Sequence, residues 1–231
     1  EKPEKENLPT TQITPTINNL IENSEQNDTT QNAENCDGNH TGWIELANKN
    51  DTGNAGTIIV SNTLTTGNYY LGSNVTITET LQIGGDVVLC LDGKSLTLSE
   101  NKSYNAFSVI QVKQGAKLTL CDCKGNTGII TGEDGKVNAV GVYVDTAIFI
   151  MNGGTITKNI NNTSNYGGGV YVNNGTFTMN GGSISNNLSY DGGGVYIDGS
   201  STFTMNNNSI ITDNRAQRDG GGDMLIMAHL L

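Results

Sequence analysis

This 231-residue chain is poor in several residue types, and each shortage narrows what it can be. Basic residues number 12 against 23 acidic ones, a net charge of −11, which argues against nucleic acid or an anionic membrane as partner. No apolar run is long enough to span a bilayer, so membrane insertion is not expected. Aromatics make up only 6% of the chain, which suits a thin column of core rather than a broad one. The two histidines, His40 and His229, lie outside any repeat, so no His-centred triad is suggested. The three prolines, Pro3, Pro9 and Pro15, all fall in the N-terminal segment. No signal peptide is visible at Glu1, so one has been removed or is not included in this sequence.

What is present is repetition. Tyr166–Asn214 reads YGGGVYVNNGTFTMNGGSISNN and then LSYDGGGVYIDGSSTFTMNNNSIITDN. Val170 to Val195 is 25 residues and Phe177 to Phe203 is 26; a looser copy begins at Gly141, with Val142 to Val170 and Phe149 to Phe177 both 28. A fixed period in this range signals a solenoid. Each copy holds three short runs of period-two alternation, such as Val170-Tyr171-Val172, Phe177-Thr178-Met179 and Ser183-Ile184-Ser185, which fits strands. Glycine and asparagine separate the runs, and both tolerate the positive φ of tight bends.

Aligned copies give apolar columns: Ile110, Val142, Val170 and Val195; Val112, Val144, Val172 and Ile197; Leu118, Phe149, Phe177 and Phe203; Leu120, Met151, Met179 and Met205; Ile130, Ile156, Ile184 and Ile210. Each column is expected to be an inward stack with a strand spacing of about 4.8 Å. Asn159, Asn187 and Asn214 close the third strand and are expected to form a ladder at a bend. The fold class is therefore all-β: a right-handed parallel β-helix of coils of 25–28 residues, the hand following from the rule for parallel crossovers. Residues 1–35, polar and acidic, read as a disordered linker. Residues 36–72, with Trp43, read as a cap over the solenoid's open end. The β-helix is expected over 73–222.

Residues 223–231 break the pattern. After Gly220-Gly221-Gly222 a VYVNNGT-like run is expected, but the chain gives DMLIMAHLL. One reading is a frameshift: with AT-rich codons, the frame from the third base of Gly222 encodes GYVNNGTLT, and further coils would follow in the natural protein. The other is a crude apolar cap.

Phrases such as GGGVYV, TFTMNGGSIS, TGNYYLGSNVTIT and LTLCDC resemble the right-handed parallel β-helix repeat proteins of the pectin-lyase-like superfamily, found on the surface of gut Gram-positive bacteria. The GGG-V/I-Y turns are also similar to the repeats of polymorphic outer-membrane adhesins. The resemblance spans residues 67–222. It implies a secreted or cell-wall-attached, adhesin-like protein whose partner is a host or dietary glycan or a surface protein. It also raises the alternative of a polysaccharide lyase or glycoside hydrolase, and a purely structural stalk is a third reading.

Catalytic residues are not evident. A lyase base is commonly Arg or Lys, and the only two arginines, Arg215 and Arg218, lie in a charged turn with Asp213, Asp219 and Asp223 nearby, which reads as a solvated turn. Asp145, Asp191 and Asp198 fall in different bends, with no acidic pair in the aligned columns. Tyr143, Tyr171 and Tyr196 lie between inward residues on successive coils, so they are expected to point outward as a candidate aromatic binding ladder, unless they only brace one another across strands. An outward row of Thr119, Thr178 and Thr204, broken by Ile150, reflects the strand preference of threonine. Cys90 and Cys121, in the related LCLD and LCDC runs 31 residues apart, are expected to stack on adjacent coils, as a disulfide or as a thiol pair. Cys121-Asp122-Cys123 lacks a second ligand pair at zinc spacing, and no metal or other cofactor is expected.

Overall fold

The structure, a computed structural model, describes residues 37–47, 57–58, 62–99, 107–206, 208–218 and 224–226. The linker expected over 1–35 lies outside these residues. Described residues form a parallel β-solenoid of about five turns, with coils of roughly 28 residues. The chain passes repeatedly from a first sheet to a second and a third, so that strands within a sheet come from successive coils. The first sheet has seven strands, from Thr63–Leu64 to Met224–Ile226. The second has eight, including Ile44–Ala47, Gly67–Leu71, Asp86–Cys90 and Lys117–Cys121. The third has six, from Val75–Ile77 to Ser209–Thr212. A fourth sheet of three short strands, Ile160–Tyr166, Leu188–Asp191 and Arg215–Ala216, closes the later coils.

Alternation along each short strand explains the cross-section. In Thr176–Met179, Phe177 and Met179 are fully buried while Thr176 and Thr178 are not. Each coil therefore contributes a few side chains to one axial core, and parallel in-register pairing stacks like on like. Ile110, Val142, Val170 and Val195 are register partners in turn, as are Leu118, Phe149, Phe177 and Phe203. The phenylalanine rings lie nearly parallel at centroid distances of 4.8 and 5.0 Å, close to the strand spacing itself. Full burial of such a side chain stabilises the fold by about 1.5–3 kcal/mol.

One column differs from the sequence alignment. Ile184 pairs with Ile211, and Ile210 pairs with the outward Ser183. Ile210 is consequently 56% exposed, while Ile211 packs on the core. The cause is one extra residue in the bend: Phe177 to Ile184 is seven residues and Phe203 to Ile211 is eight. Because side chains alternate with period two, one added residue moves the next isoleucine from one face to the other.

The bend after the third sheet is built the same way three times. Lys158, Asn186 and Asp213 adopt φ of 55, 56 and 56°, and the following residue is a buried asparagine. Asn159 Nδ2 donates to Asn187 Oδ1 at 3.0 Å, and Asn187 Nδ2 to Asn214 Oδ1 at 2.9 Å. The main-chain N–H groups of Asn159 and Asn187 donate to the same two oxygens. The expected ladder is thus a continuous amide column that satisfies the polar groups between these coils, leaving Asn159 Oδ1 at its first rung without a partner among the described residues. Against it lie glycines: a Cβ on Gly169 would stand 2.6 Å from both Gly194 O and Ile184 Cγ2 and 2.9 Å from Asn187 Nδ2. This is why the repeat keeps glycine there.

Within 36–72, strands Ile44–Ala47 and Gly67–Leu71 pair parallel with each other, and the latter pairs with Asp86–Cys90, so they extend the second sheet. At the other end, Met224–Ile226 pairs with Val195–Ile197, continuing the first sheet despite its departure from the repeat.

Candidate functional site

The outer face of the first sheet carries the three tyrosines in register, Tyr143 beside Tyr171 beside Tyr196. They point away from the axial core, as alternation requires, but not into open solvent. Tyr171 is 9% and Tyr196 3% exposed. Tyr166, from the fourth sheet, lies 4.6 Å from Tyr196 and 5.8 Å from Tyr171 between ring centroids, and Phe107 meets Tyr143 edge-on at 5.0 Å. The expected flat, open ladder is instead a packed aromatic cluster, because the fourth sheet, which the alternation pattern did not suggest, covers its later members. Burial foremost, then the negative charge of Asp198, raises the pKa of Tyr171 and Tyr196, Tyr196 to about 12. Burial is also the largest influence on Tyr143, whose pKa is raised.

At the end of the same strands the register aligns Asp145, Asn173 and Asp198. Asp145 and Asp198 therefore share a column, which the sequence alignment does not pair because Asn173 of the middle coil interposes between them. Tyr171 Oη donates to Asp198 Oδ2 at 3.3 Å, and Asn173 Nδ2 donates to Tyr143 Oη at 3.4 Å. The tyrosines therefore brace this polar column from beneath.

Immediately beyond it, the chain turns into the second sheet through Thr146-Ala147, Asn174-Gly175 and Gly199-Ser200. Thr146, Asn174 and Gly199 adopt positive φ, of 50, 51 and 62°. The stacked bends leave an open groove of about 530 Å³ running across successive coils. It is lined by Lys117, Thr146, Ile148, Asn174, Thr176 and Ser200, among others. Ile148, 44% exposed, supplies an apolar surface, and Lys117 and Asp86 form an ion pair of 3.2 Å at one end. This is an accessible concave surface built by the repeat among the described residues. It can offer hydroxyl, amide and charged groups at coil-to-coil spacing beside an aliphatic patch.

Cys90 and Cys121 are register partners on adjacent coils, as expected from their shared motif. No disulfide joins Cys90, Cys121 and Cys123 to one another. The sulfur that approaches Cys90 is that of Cys123, at 3.6 Å between Sγ atoms. Cys123 Sγ donates to Asp92 Oδ1 at 3.0 Å, and burial first, then Asp92 and Cys90, push its thiol pKa up. Asp122, between the two cysteines, organises the bend: Oδ1 accepts from the N–H groups of Gly93 and Lys124, and Oδ2 from that of Gly128.

The charged turn considered for lyase chemistry is partly committed elsewhere. Arg218 makes a two-pronged pair with Asp191, Nη2–Oδ2 2.5 Å and Nε–Oδ1 3.2 Å, and the Asp191 carboxylate is nearly covered. Asp219 and Asp223 lie outside the described residues. No helix among the described residues is long and apolar enough to cross a membrane. No protein-family model, curated protein or solved structure matches the chain.

Proposed function

We propose that this is a secreted or cell-surface β-helix protein of the pectin-lyase-like, adhesin-like kind. It acts without catalysis, binding polysaccharide of host or dietary origin along a rigid repeated side. The observation that carries this reading is the groove over the stacked bends. It is solvent-open, elongated across coils, and lined by short polar side chains with Ile148 exposed among them. Sugar hydroxyls pair with such groups, while the flatter ring faces pack on aliphatic surface. A repeat of about 4.8 Å per coil lets several weak contacts act together. The tyrosine cluster supports this groove mechanically rather than touching ligand.

The test is electrophoresis of the full chain through native gels cast with different polysaccharides and mucins. Retarded migration with intact polymer is expected in at least one gel, and the double variant Lys117→Ala, Ile148→Ala should migrate freely in it. Both positions are surface positions, so the fold should survive. Unretarded migration in every gel overturns glycan binding and leaves a structural stalk or a protein ligand. A second reading, hydrolysis, is favoured by the Asp145–Asp198 column, whose backbones stand two strand spacings apart, about 9.6 Å. Inverting glycosidases hold their two carboxyl groups roughly 6.5–9.5 Å apart. Cleared polymer behind the band, abolished by Asp198→Asn, would establish that reading instead.

A further inference from the structure

A second cluster lies outside the residues that line the groove. His40, Cys90 and Cys123 come from three separate stretches of chain, yet one ligand atom of each lies within 4.8 Å of the others. Cys90 ends a strand of the second sheet and is fully buried. Cys123 sits on the next coil, just past the strand that pairs with it. His40 is brought over them by the segment that precedes the first strand. Its ring stacks on Tyr70 at 4.4 Å and 3° between planes, and Trp43 meets it edge-on at 5.1 Å. Tyr70 is itself the register partner of Cys90. The ring is therefore fixed in orientation by two aromatic neighbours.

We propose that His40, Cys90 and Cys123 form a binding site for a thiophilic divalent metal ion, of which zinc is the best match. Three observations converge. First, the His40 Nε2 atom is shut off from solvent and has no hydrogen-bond partner, which is costly for a neutral imidazole unless a ligand takes that position. Second, the two sulfurs stand 3.6 Å apart. Two thiolates at about 2.3 Å from a tetrahedral zinc are about 3.8 Å apart, so the pair already has the spacing of an occupied site. Third, the donor set of one imidazole and two thiolates is one that zinc favours, and two thiolates neutralise its charge. Asp92, whose carboxylate lies 3.0 Å from Cys123 Sγ and pairs with Lys124 at 3.6 Å, stands outside this three-ligand group, so the fourth position of a tetrahedron would fall to water. Binding releases the two thiol protons to solvent, with no change of oxidation state. The ion would tie the segment carrying His40 to two coils of the solenoid, a staple at the place where the stack begins.

The experiment uses the full chain, purified with a non-thiol reductant and without chelator, then dialysed against limiting zinc. Metal content by mass spectrometry is expected to reach about one ion per chain. Cobalt substitution should give the thiolate-to-metal charge-transfer bands and intense visible bands of a tetrahedral sulfur site. His40→Ala and Cys123→Ser should each weaken zinc binding by at least about tenfold. Cys121→Ser, outside the cluster, should keep it. Circular dichroism confirms that the variants retain their strands, and direct competition with a chromophoric chelator reports affinity without relying on stability. Three results overturn the proposal: no zinc bound by the reduced chain, zinc retained at full affinity by both variants, or an S–S bond between Cys90 and Cys123 that persists through reduction and excludes metal.

Discussion

Single side chains in this protein acquire their properties from the coil above and the coil below. Asn187 shows it most fully: its amide donates to Ile156 O and to Asn214, and its oxygen accepts from both nitrogens of Asn159. The tyrosines of the first sheet show the electrostatic counterpart. Tyr196 has its pKa raised from the ordinary 10.0 to about 12, by burial foremost and by Asp198 next. In this pH range the folded state holds a proton that the unfolded state has released, so stability falls as pH rises. Its contribution is fully present below pH 10 and is lost progressively between about 10 and 12. The urea midpoint of unfolding should therefore be insensitive to Tyr196 up to pH 9 and fall above pH 10, with phenolate absorbance appearing together with loss of strand signal. Tyr196→Phe should flatten that decline. A native-state titration of all eight tyrosines near pH 10, with the fold retained, would show that the cluster is open to solvent.

At the scale of one strand, register decides which residues matter. Ile210 and Ile211 are adjacent and chemically identical, but only Ile211 packs on the core. Ile211→Asp is expected to destabilise the protein by about 2–3 kcal/mol, while Ile210→Asp should change stability by no more than about 0.5 kcal/mol. Equal costs, measured by urea denaturation, would mean the strand's register is not fixed. This pair also marks a limit of reading the sequence. Columns made of identical residues, Phe149 with Phe177 or Val142 with Val170, were legible because the repeat preserves both residue type and spacing. The last isoleucine was not, because an insertion in an asparagine-rich bend can be absorbed before or after the strand, and the sequence contains two isoleucines to choose from.

Across the described coils the core is a column rather than a globule, so the number of neighbours a residue has depends on its place along the stack. Phe177 is flanked on both sides and fully buried; Phe203 has a ring partner on one side and is only partly covered. Phe177→Ala should cost about 3–5 kcal/mol, in the range for a large core truncation. Phe203→Ala should cost clearly less, and thermal denaturation of the two variants distinguishes them. Equal losses would indicate that further structure covers Phe203 in solution.

The sequence by itself determined the fold class, the register of the four columns in the first two sheets (buried throughout except at the last coil, where Phe203 is partly covered and Met205 is 44% exposed), and the asparagine ladder. All of these follow from period-two alternation repeated at a nearly constant interval, a one-dimensional signal. It also placed Cys90 opposite Cys121 and the three tyrosines in one row. Only the tertiary structure decided what those rows face. The fourth sheet covers Tyr171 and Tyr196, a bend-lined groove opens beside Asp145, Asn173 and Asp198, and Cys90 meets Cys123 and His40. The reason is physical. Alternation fixes whether a side chain points toward the axis or away from it, but what lies beyond the outward face is contributed by segments distant in sequence, whose arrival no local pattern encodes.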